Sequence, residues 1–152
     1  TCEETELIAK QIISKHLSLS RRFPLILALQ GELGVGKTQF VKGVATTLGI
    51  DLTISSPTYT LMKEYPYSLP KYSGTPYHID TSRLADPSEL ESILGLKNIL
   101  QPGNIVAIEW AGKAENILKS YENDVPILVI NIKELNERER LIEYAFSTPE
   151  WS

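Results

Sequence analysis

With 152 residues, 42% of them hydrophobic and 22% charged, the chain has the size and composition of one globular domain spanning residues 1–152. No apolar run approaches the ~20 residues of a membrane span, the acidic start is unlike a signal peptide, and a single cysteine cannot form an internal disulfide, so we expect a cytoplasmic protein without membrane contact. A net charge of −4, from 15 basic and 19 acidic residues, argues against a protein that binds nucleic acid by itself.

The first fifty residues predict a helix, a strand and a second helix. Apolar residues at helical spacing indicate an amphipathic helix over residues 5–17. The short apolar run FPLILALQ (23–30) is typical of a buried strand. After a glycine-rich segment, apolar side chains recur at helical spacing up to Leu48, and Gly49 follows where a C-terminal cap belongs.

The rest of the chain alternates strands with helices. Strands are predicted at TYTLMKEY (58–65), PYHID (76–80) and NIVAIEW (104–110). Helices are predicted at DPSELESILGL, with Asp86 as N-cap and Gly95 at its end, and at residues 114–121. The runs PILVINI (126–132) and RLIEYAF (140–146) flank a charged segment, as hairpin strands do. This order predicts an α/β fold with a largely parallel central sheet and a C-terminal β-hairpin.

The glycine-rich segment GELGVGKT (31–38) matches the phosphate-binding pattern G-x-x-x-x-G-K-[ST] at every position. In such a P-loop, backbone N–H groups converge on the phosphates, the lysine reaches the β and γ phosphates, and the hydroxyl binds Mg²⁺. A glycine turn with a solvated lysine would leave the Lys-Thr pair and the flanking strand and helix unexplained. We therefore predict a three-layer P-loop NTPase-like fold, with a nucleotide site formed by Leu33, Gly34, Val35, Gly36, Lys37, Thr38 and Gln39.

A P-loop site needs a second acid at the end of a neighbouring strand, where it holds the metal or its water. Asp80 ends YHID, and Glu109 follows the four apolar residues IVAI. Glu109 has the stronger Walker-B character, because a charge at the inner end of such a strand costs several kcal/mol unless it is paired or bound to metal. Asp80 also fits a turn or capping acid, while His78 and Trp110 taken alone are more typical of sheet hydrogen bonding and packing.

Four stretches lie in the order and spacing of one family: GELGVGKTQFVKG, SSPTYTLMKEY, YHIDTSRLADPSELESILGL and VAIEW. Over most of residues 5–110 the chain resembles the bacterial TsaE family, small ATPases needed to make threonylcarbamoyladenosine on tRNA. The resemblance implies ATP and Mg²⁺ as cofactors, with the metal on Thr38 and Glu109 and catalysis by Lys37, Asp80 and Glu109. It also implies a threonylcarbamoyl-transfer complex of TsaD and TsaB family proteins as the partner, with tRNA contacted only indirectly.

The same resemblance implies roles outside the P-loop. Switch-like or partner-contacting residues would be Ser56, Pro57, Thr58, His78, Arg83 and Trp110. Thr5 would lie near the nucleotide base, and Arg138 corresponds to an arginine of the C-terminal hairpin. Thr81-Ser82 stands where the family has Leu-Tyr. Slow hydrolysis by the chain alone is expected, because no arginine finger is evident in the sequence and a supplied arginine can be worth ~10³–10⁵ in rate.

Three other functions are compatible with a P-loop. The main alternative is a small-molecule or nucleoside kinase, but such kinases present an arginine-rich lid, and this chain has no arginine between Arg22 and Arg83. A GTP-binding switch is disfavoured because neither an N-K-x-D nor a D-x-x-G motif is present. A nucleotide-binding adaptor that needs no hydrolysis stays open.

Overall fold

A computed structural model gives the fold and describes residues 2–31, 37–48, 62–64, 67–68, 73–74, 76–80, 95–109 and 115–151. The first part contains helix α1 (Cys2–His16), a 3-10 turn (Leu17–Arg21), strand β1 (Leu25–Gln30) and helix α2 (Lys37–Thr47). The strands β2 (Met62–Glu64), β3 (Tyr67–Ser68), β4 (Ser73–Gly74) and β5 (Pro76–Asp80) follow. The last part contains α3 (Leu96–Ile99), β6 (Ile105–Glu109), α4 (Glu115–Tyr121), β7 (Ile127–Glu134), β8 (Arg140–Phe146) and a 3-10 turn (Pro149–Trp151).

Six of these strands form one sheet in the order β2-β5-β6-β1-β7-β8. The four inner strands are parallel to one another, and the edge strands β2 and β8 run antiparallel to their neighbours. β7 and β8 form a hairpin whose register runs from Leu128 opposite Phe146 to Glu134 opposite Arg140. The predicted largely parallel sheet and C-terminal hairpin are therefore confirmed, while β3 and β4 pair separately.

Helices cover both faces of the sheet, which confirms the predicted three layers. The face under α1 and α2 includes Ile13, Leu27, Phe40 and Ala107 in one buried cluster. The opposite face packs Ile26, Ile108 and Leu96 with Leu118 of α4. Because parallel strands are buried on both faces, β1 and β6 consist of continuous buried runs rather than an alternation of apolar and polar residues.

Element boundaries differ from the predictions by a few residues. β1 begins at Leu25 rather than at residue 23, because Pro24 has no N–H to contribute to the sheet. β7 extends past the predicted residue 132 to Glu134, whose carboxylate lies 3.7 Å from Arg140 on β8. Gly95 has a left-handed φ of 64° and directly precedes the four-residue α3, which is too short to produce a periodic pattern.

The helix predicted from Asp86 and most of the strand predicted over 58–65 lie outside the described residues. Within the described ranges, no helix combines the length and the hydropathy that crossing a membrane requires.

Candidate functional site

The site begins where β1 ends and α2 starts. β1 finishes at Gln30, Gly31 follows, and Lys37 is already the first residue of α2. The first four N–H groups of a helix have no partner within that helix, and they carry the positive end of its dipole. The predicted phosphate-binding residues Lys37, Thr38 and Gln39 therefore occupy the end of α2 that favours an anion.

Packing fixes the position of that helix end. Phe40 and Val41, one turn after Lys37, are buried against the sheet, whereas Lys37 and Gln39 keep partial exposure. The apolar stripe predicted from the sequence thus anchors α2 and leaves its first turn at the surface. A helix end that packing holds in place and that stays open to solvent is suited to binding a ligand.

Two acids lie at the same edge of the sheet as this helix end. Asp80 is opposite Glu109 in the parallel pairing of β5 with β6, and Glu109 is opposite Leu29 in the pairing of β6 with β1. Since neighbouring strands lie about 4.8 Å apart, Glu109 is one strand spacing from β1 and Asp80 is two, or about 10 Å. The fold therefore brings the carboxyl ends of three parallel strands together, with both acids at the edge of the sheet where β1 ends.

Glu109 is buried, with 6% of its surface exposed. Glu109 is two residues from Ala107 and four from Ile105 along β6, so the three share one face of the sheet, and Ile105 and Ala107 belong to the core under α1 and α2. Its side chain therefore lies on the face of the sheet that α2 covers. A carboxylate oxygen is a hard ligand of the kind that Mg²⁺ prefers, so the Glu109 carboxylate is suited to hold a metal at this edge of the sheet.

A groove lies on the other side of β1 and was not predicted from the sequence. It has a volume of about 740 Å³ and is bounded by Gly31 and by residues 131–137 of β7 and the hairpin turn. Asn131 is opposite Gln30 in the register of β7 with β1, so the groove starts level with the end of β1. The available signal in the sequence was that Asn131 is the one polar side chain in the run PILVINI.

Other residues singled out from the sequence lie in several places. Thr5 is 4% exposed on α1, beside Glu6, whose backbone meets Gly43 of α2. Arg138 lies in the exposed hairpin turn and donates its backbone N–H to Asn136 Oδ1. The backbones of His78 and Asp80 belong to β5, and their side chains, like that of Thr38, lie outside the described part. Wholly outside it are Leu33, Gly34, Val35, Gly36, Ser56, Pro57, Thr58, Arg83 and Trp110.

The sequence is similar to that of known proteins along most of its length. Residues 1–142 match the family model of the threonylcarbamoyl adenosine biosynthesis protein TsaE. The tRNA threonylcarbamoyladenosine biosynthesis protein TsaE of Haemophilus influenzae is 37% identical over 102 residues, 67% of this chain and 61% of that protein. The Bacillus subtilis protein of the same name is 38% identical over 120 residues, 78% of this chain and 68% of the relative. In Rickettsia felis the corresponding protein is 32% identical over 151 residues, 99% of this chain and 79% of its own length.

The fold is also similar to that of a solved structure. The crystal structure of Bacillus subtilis YdiB superposes with a TM-score of 0.63 and 28% sequence identity, covering 99% of this chain and 84% of that one. The match to the Haemophilus influenzae relative spans less than two thirds of that protein. The family match nevertheless extends well past residue 110, where the resemblance in the motifs weakens. This chain belongs to the TsaE family, whose members serve in tRNA threonylcarbamoyladenosine biosynthesis.

Proposed function

We propose that this protein is a Mg²⁺-dependent ATPase that supports threonylcarbamoyladenosine modification of tRNA by acting on the threonylcarbamoyl-transfer complex. The observation that carries the proposal is the position of Glu109. It is buried at the carboxyl end of β6, next to β1, on the sheet face covered by the helix that begins at Lys37. A carboxylate in that place is a suitable metal ligand beside a phosphate-binding helix end.

Each residue of the site has a distinct task in this proposal. The Lys37 ammonium binds the β and γ phosphates of ATP, while Thr38 and Glu109 hold Mg²⁺. When bound, the metal neutralises charge on the phosphate oxygens. Asp80, at the end of the strand beyond β6, orients the attacking water and accepts its proton.

The partner is proposed from family membership and charge. The relatives are named as tRNA threonylcarbamoyladenosine biosynthesis proteins. The net charge of −4 gives this chain little electrostatic attraction to the phosphate backbone of a tRNA. We therefore assign tRNA binding to the TsaD and TsaB family proteins. This chain would couple ATP to their cycle.

The first experiment is phosphate release from ATP by this chain, alone and with the transfer complex of the same organism. Slow release that increases on addition of the complex supports the proposal. Release that does not respond to the complex contradicts the coupling. Transfer of the γ-phosphate to a metabolite would instead favour a small-molecule or nucleoside kinase.

Lys37→Ala tests the site itself. Removing one charge-assisted phosphate contact, worth about 1.5–3 kcal/mol, should weaken ATP binding by about 10- to 150-fold. Lys42→Ala is a matched control, because Lys42 lies on the same helix one and a half turns further on. Equal ATP affinity of Lys37→Ala and the control would refute the assignment.

A further inference from the structure

The two edge strands of the six-stranded sheet differ in length and in chemistry. At one edge, the described β2 has three residues, and two of them, Lys63 and Glu64, are charged. At the other edge, β8 has seven residues without proline or lysine, and its register with β7 runs unbroken from Arg140 to Phe146. Proteins protect edge strands against pairing by shortening, charging or interrupting them. β8 is neither short nor interrupted.

The two charged side chains of β8 have their partners on β7. The Arg140 guanidinium lies 3.7 Å from the Glu134 carboxylate, and the Glu143 carboxylate lies 3.6 Å from the Lys133 ammonium. Both partners lie on the inner side of β8, so neither ion pair extends beyond its outer edge. The other side chains of β8 are aliphatic or aromatic: Leu141, Ile142, Tyr144, Ala145 and Phe146.

Every second residue of β8 directs its backbone N–H and C=O away from β7. Ser147 N–H donates to the Ile127 carbonyl at 2.9 Å, and Leu135 N–H donates to the Glu139 carbonyl at 3.0 Å. Bonded and non-bonded pairs alternate along an antiparallel ladder, so the odd-numbered residues of β8 bond to β7. The outward-facing residues are Arg140, Ile142, Tyr144 and Phe146. In the described part of the chain, no strand pairs with them on that side.

The residues that follow β8 do not cover its outer edge. Trp151 Nε1 donates to the Glu122 carbonyl at 3.0 Å, and the indole packs against Phe23. Phe23 precedes β1 and Glu122 precedes β7, so the C-terminal turn lies toward the middle of the sheet. The outer edge of β8 is therefore left for another chain.

Symmetry limits how a second copy of β8 can pair with this edge. Under a two-fold axis one residue lies opposite its own copy, and the others pair symmetrically about it. A register centred on Glu143 sets two carboxylates opposite one another, which destabilises a sheet. A register centred on Ile142 sets Tyr144 opposite Arg140, whose guanidinium is already engaged by Glu134. In neither register do the apolar side chains of the edge match one another.

The register centred on Tyr144 is self-complementary. It sets the two Tyr144 rings opposite one another and Ile142 of each copy opposite Phe146 of the other, and aromatic and β-branched pairs of this kind stabilise a sheet. Glu143 then lies opposite Ala145, so no like charges meet. The opposed pairs on the outer edge consist of outward-facing residues, and each pair exchanges two backbone hydrogen bonds, about six across the interface.

We propose that this protein forms a two-fold symmetric dimer through antiparallel pairing of its β8 strands in the register centred on Tyr144. The pairing joins the two sheets into one that runs across both copies, which is strand addition with a second copy of the chain as the partner. The inference does not rest on the proposed function, because β7 separates β8 from β1 and the predicted phosphate site.

The first test is sedimentation over a wide range of protein concentration. The wild type should sediment as a dimer that dissociates on dilution. Tyr144→Lys sets two ammonium groups opposite one another at the axis and should weaken the dimer about tenfold, whereas Tyr144→Phe should leave it unchanged. Leu141→Lys is the matched control, because Leu141 is 41% exposed and Tyr144 43%, and it should weaken the dimer less than about threefold.

The second test locates the interface by disulfide cross-linking in a Cys2→Ser background, which removes the only cysteine of the sequence. Tyr144→Cys sets its two Cα atoms about 5.5 Å apart, within the range of about 4.4–6.8 Å that a disulfide spans. Leu141→Cys sets them six residues apart along the paired strands, or about 20 Å. Oxidation should therefore yield a covalent dimer of Tyr144→Cys and not of Leu141→Cys.

The outcomes separate this interface from other associations. Weakening by Tyr144→Lys together with selective cross-linking of Tyr144→Cys supports the proposal. A wild type that stays monomeric at every concentration would overturn it. A dimer that tolerates Tyr144→Lys, or that cross-links equally well through Leu141→Cys, would also overturn it, because the contact would then lie elsewhere or in another register.

Discussion

Gly43 on α2 lies so close to Ala9 on α1 that a methyl group added to the glycine would stand 2.7 Å from the Ala9 Cβ. The same methyl group would be 2.9 Å from the Glu6 Cα and would also meet the Glu6 carbonyl oxygen. These are backbone atoms of a helix, so they cannot move aside as a flexible side chain does. The contact sets how closely α1 packs on the helix that carries Lys37.

Gly43→Ala should therefore destabilise the protein. Alanine gains about 1 kcal/mol over glycine in helix propensity, but overpacking of a close contact costs about 1–3 kcal/mol. Because the added methyl group would meet backbone atoms, we expect the upper part of that cost and a net loss of about 1–2 kcal/mol in the free energy of unfolding, measured by urea denaturation. Thr46→Ala on the exposed side of α2 is the control, and its stability should change by less than about 0.5 kcal/mol. A Gly43→Ala protein as stable as the wild type would contradict this account of the helix contact.

Glu109→Gln should separate nucleotide binding from hydrolysis. The amide keeps the size of the buried side chain but loses the charge that the proposed metal site needs. Phosphate release should fall about 10²–10³-fold, while ATP affinity should change by less than tenfold. Both are measured over a range of Mg²⁺ concentrations. Wild-type turnover in this variant would exclude Glu109 from the metal site.

Stability should decrease on acidification because of His16. Burial, and secondly the charge of Lys15, lower the pKa of His16 from its ordinary value of 6.5, and the ring packs edge-on against Phe146 at 5.0 Å between centroids. The unfolded chain then binds the proton more readily than the folded one, so this contribution is complete above pH 6.5 and is lost as the pH falls through the lowered pKa. Partial exposure of the ring keeps the effect small.

The measurement is the free energy of unfolding at pH 5 and pH 7.5 for the wild type and for His16→Asn. The variant keeps a polar side chain at the position but cannot titrate there. Its pH dependence should be smaller than that of the wild type. Parallel pH profiles of the two proteins would show that His16 does not titrate as described.

The C-terminal turn should stabilise the amino edge of the sheet. Trp151 Nε1 donates to the Glu122 carbonyl at 3.0 Å, and the indole packs edge-on against Phe23 at 4.8 Å between centroids. Trp151→Phe should cost about 1 kcal/mol, the value of the hydrogen bond, and Trp151→Ala about 2–3 kcal/mol, because the aromatic packing is also lost. These values correspond to decreases in Tm of about 2–4 °C and 4–12 °C. Equal Tm values for the alanine variant and the wild type would show that the contacts of Trp151 do not stabilise the folded protein.

The sequence predicted those elements whose patterns are local. β1 and β6 were recognisable as short continuous apolar runs, and α2 as an apolar stripe following a glycine-rich segment. Both acids were placed at strand ends for the same reason, since a carboxylate after an apolar run is evident without knowledge of the partner strands. The role of the P-loop residues stays a prediction, as does the helix expected from Asp86.

The sequence by itself determined the succession of strands and helices, because each element depends on neighbours within about ten positions. It also determined the family, because several motifs follow one another in that family's order and spacing. Tertiary structure decided which strands are adjacent, and hence that Glu109 lies beside β1 with Asp80 one strand further. It also decided that Asn131 and Leu135 border a groove on the opposite side. These relationships join residues 30 to 100 positions apart, and the packing of both sheet faces fixes them rather than any local preference of the chain.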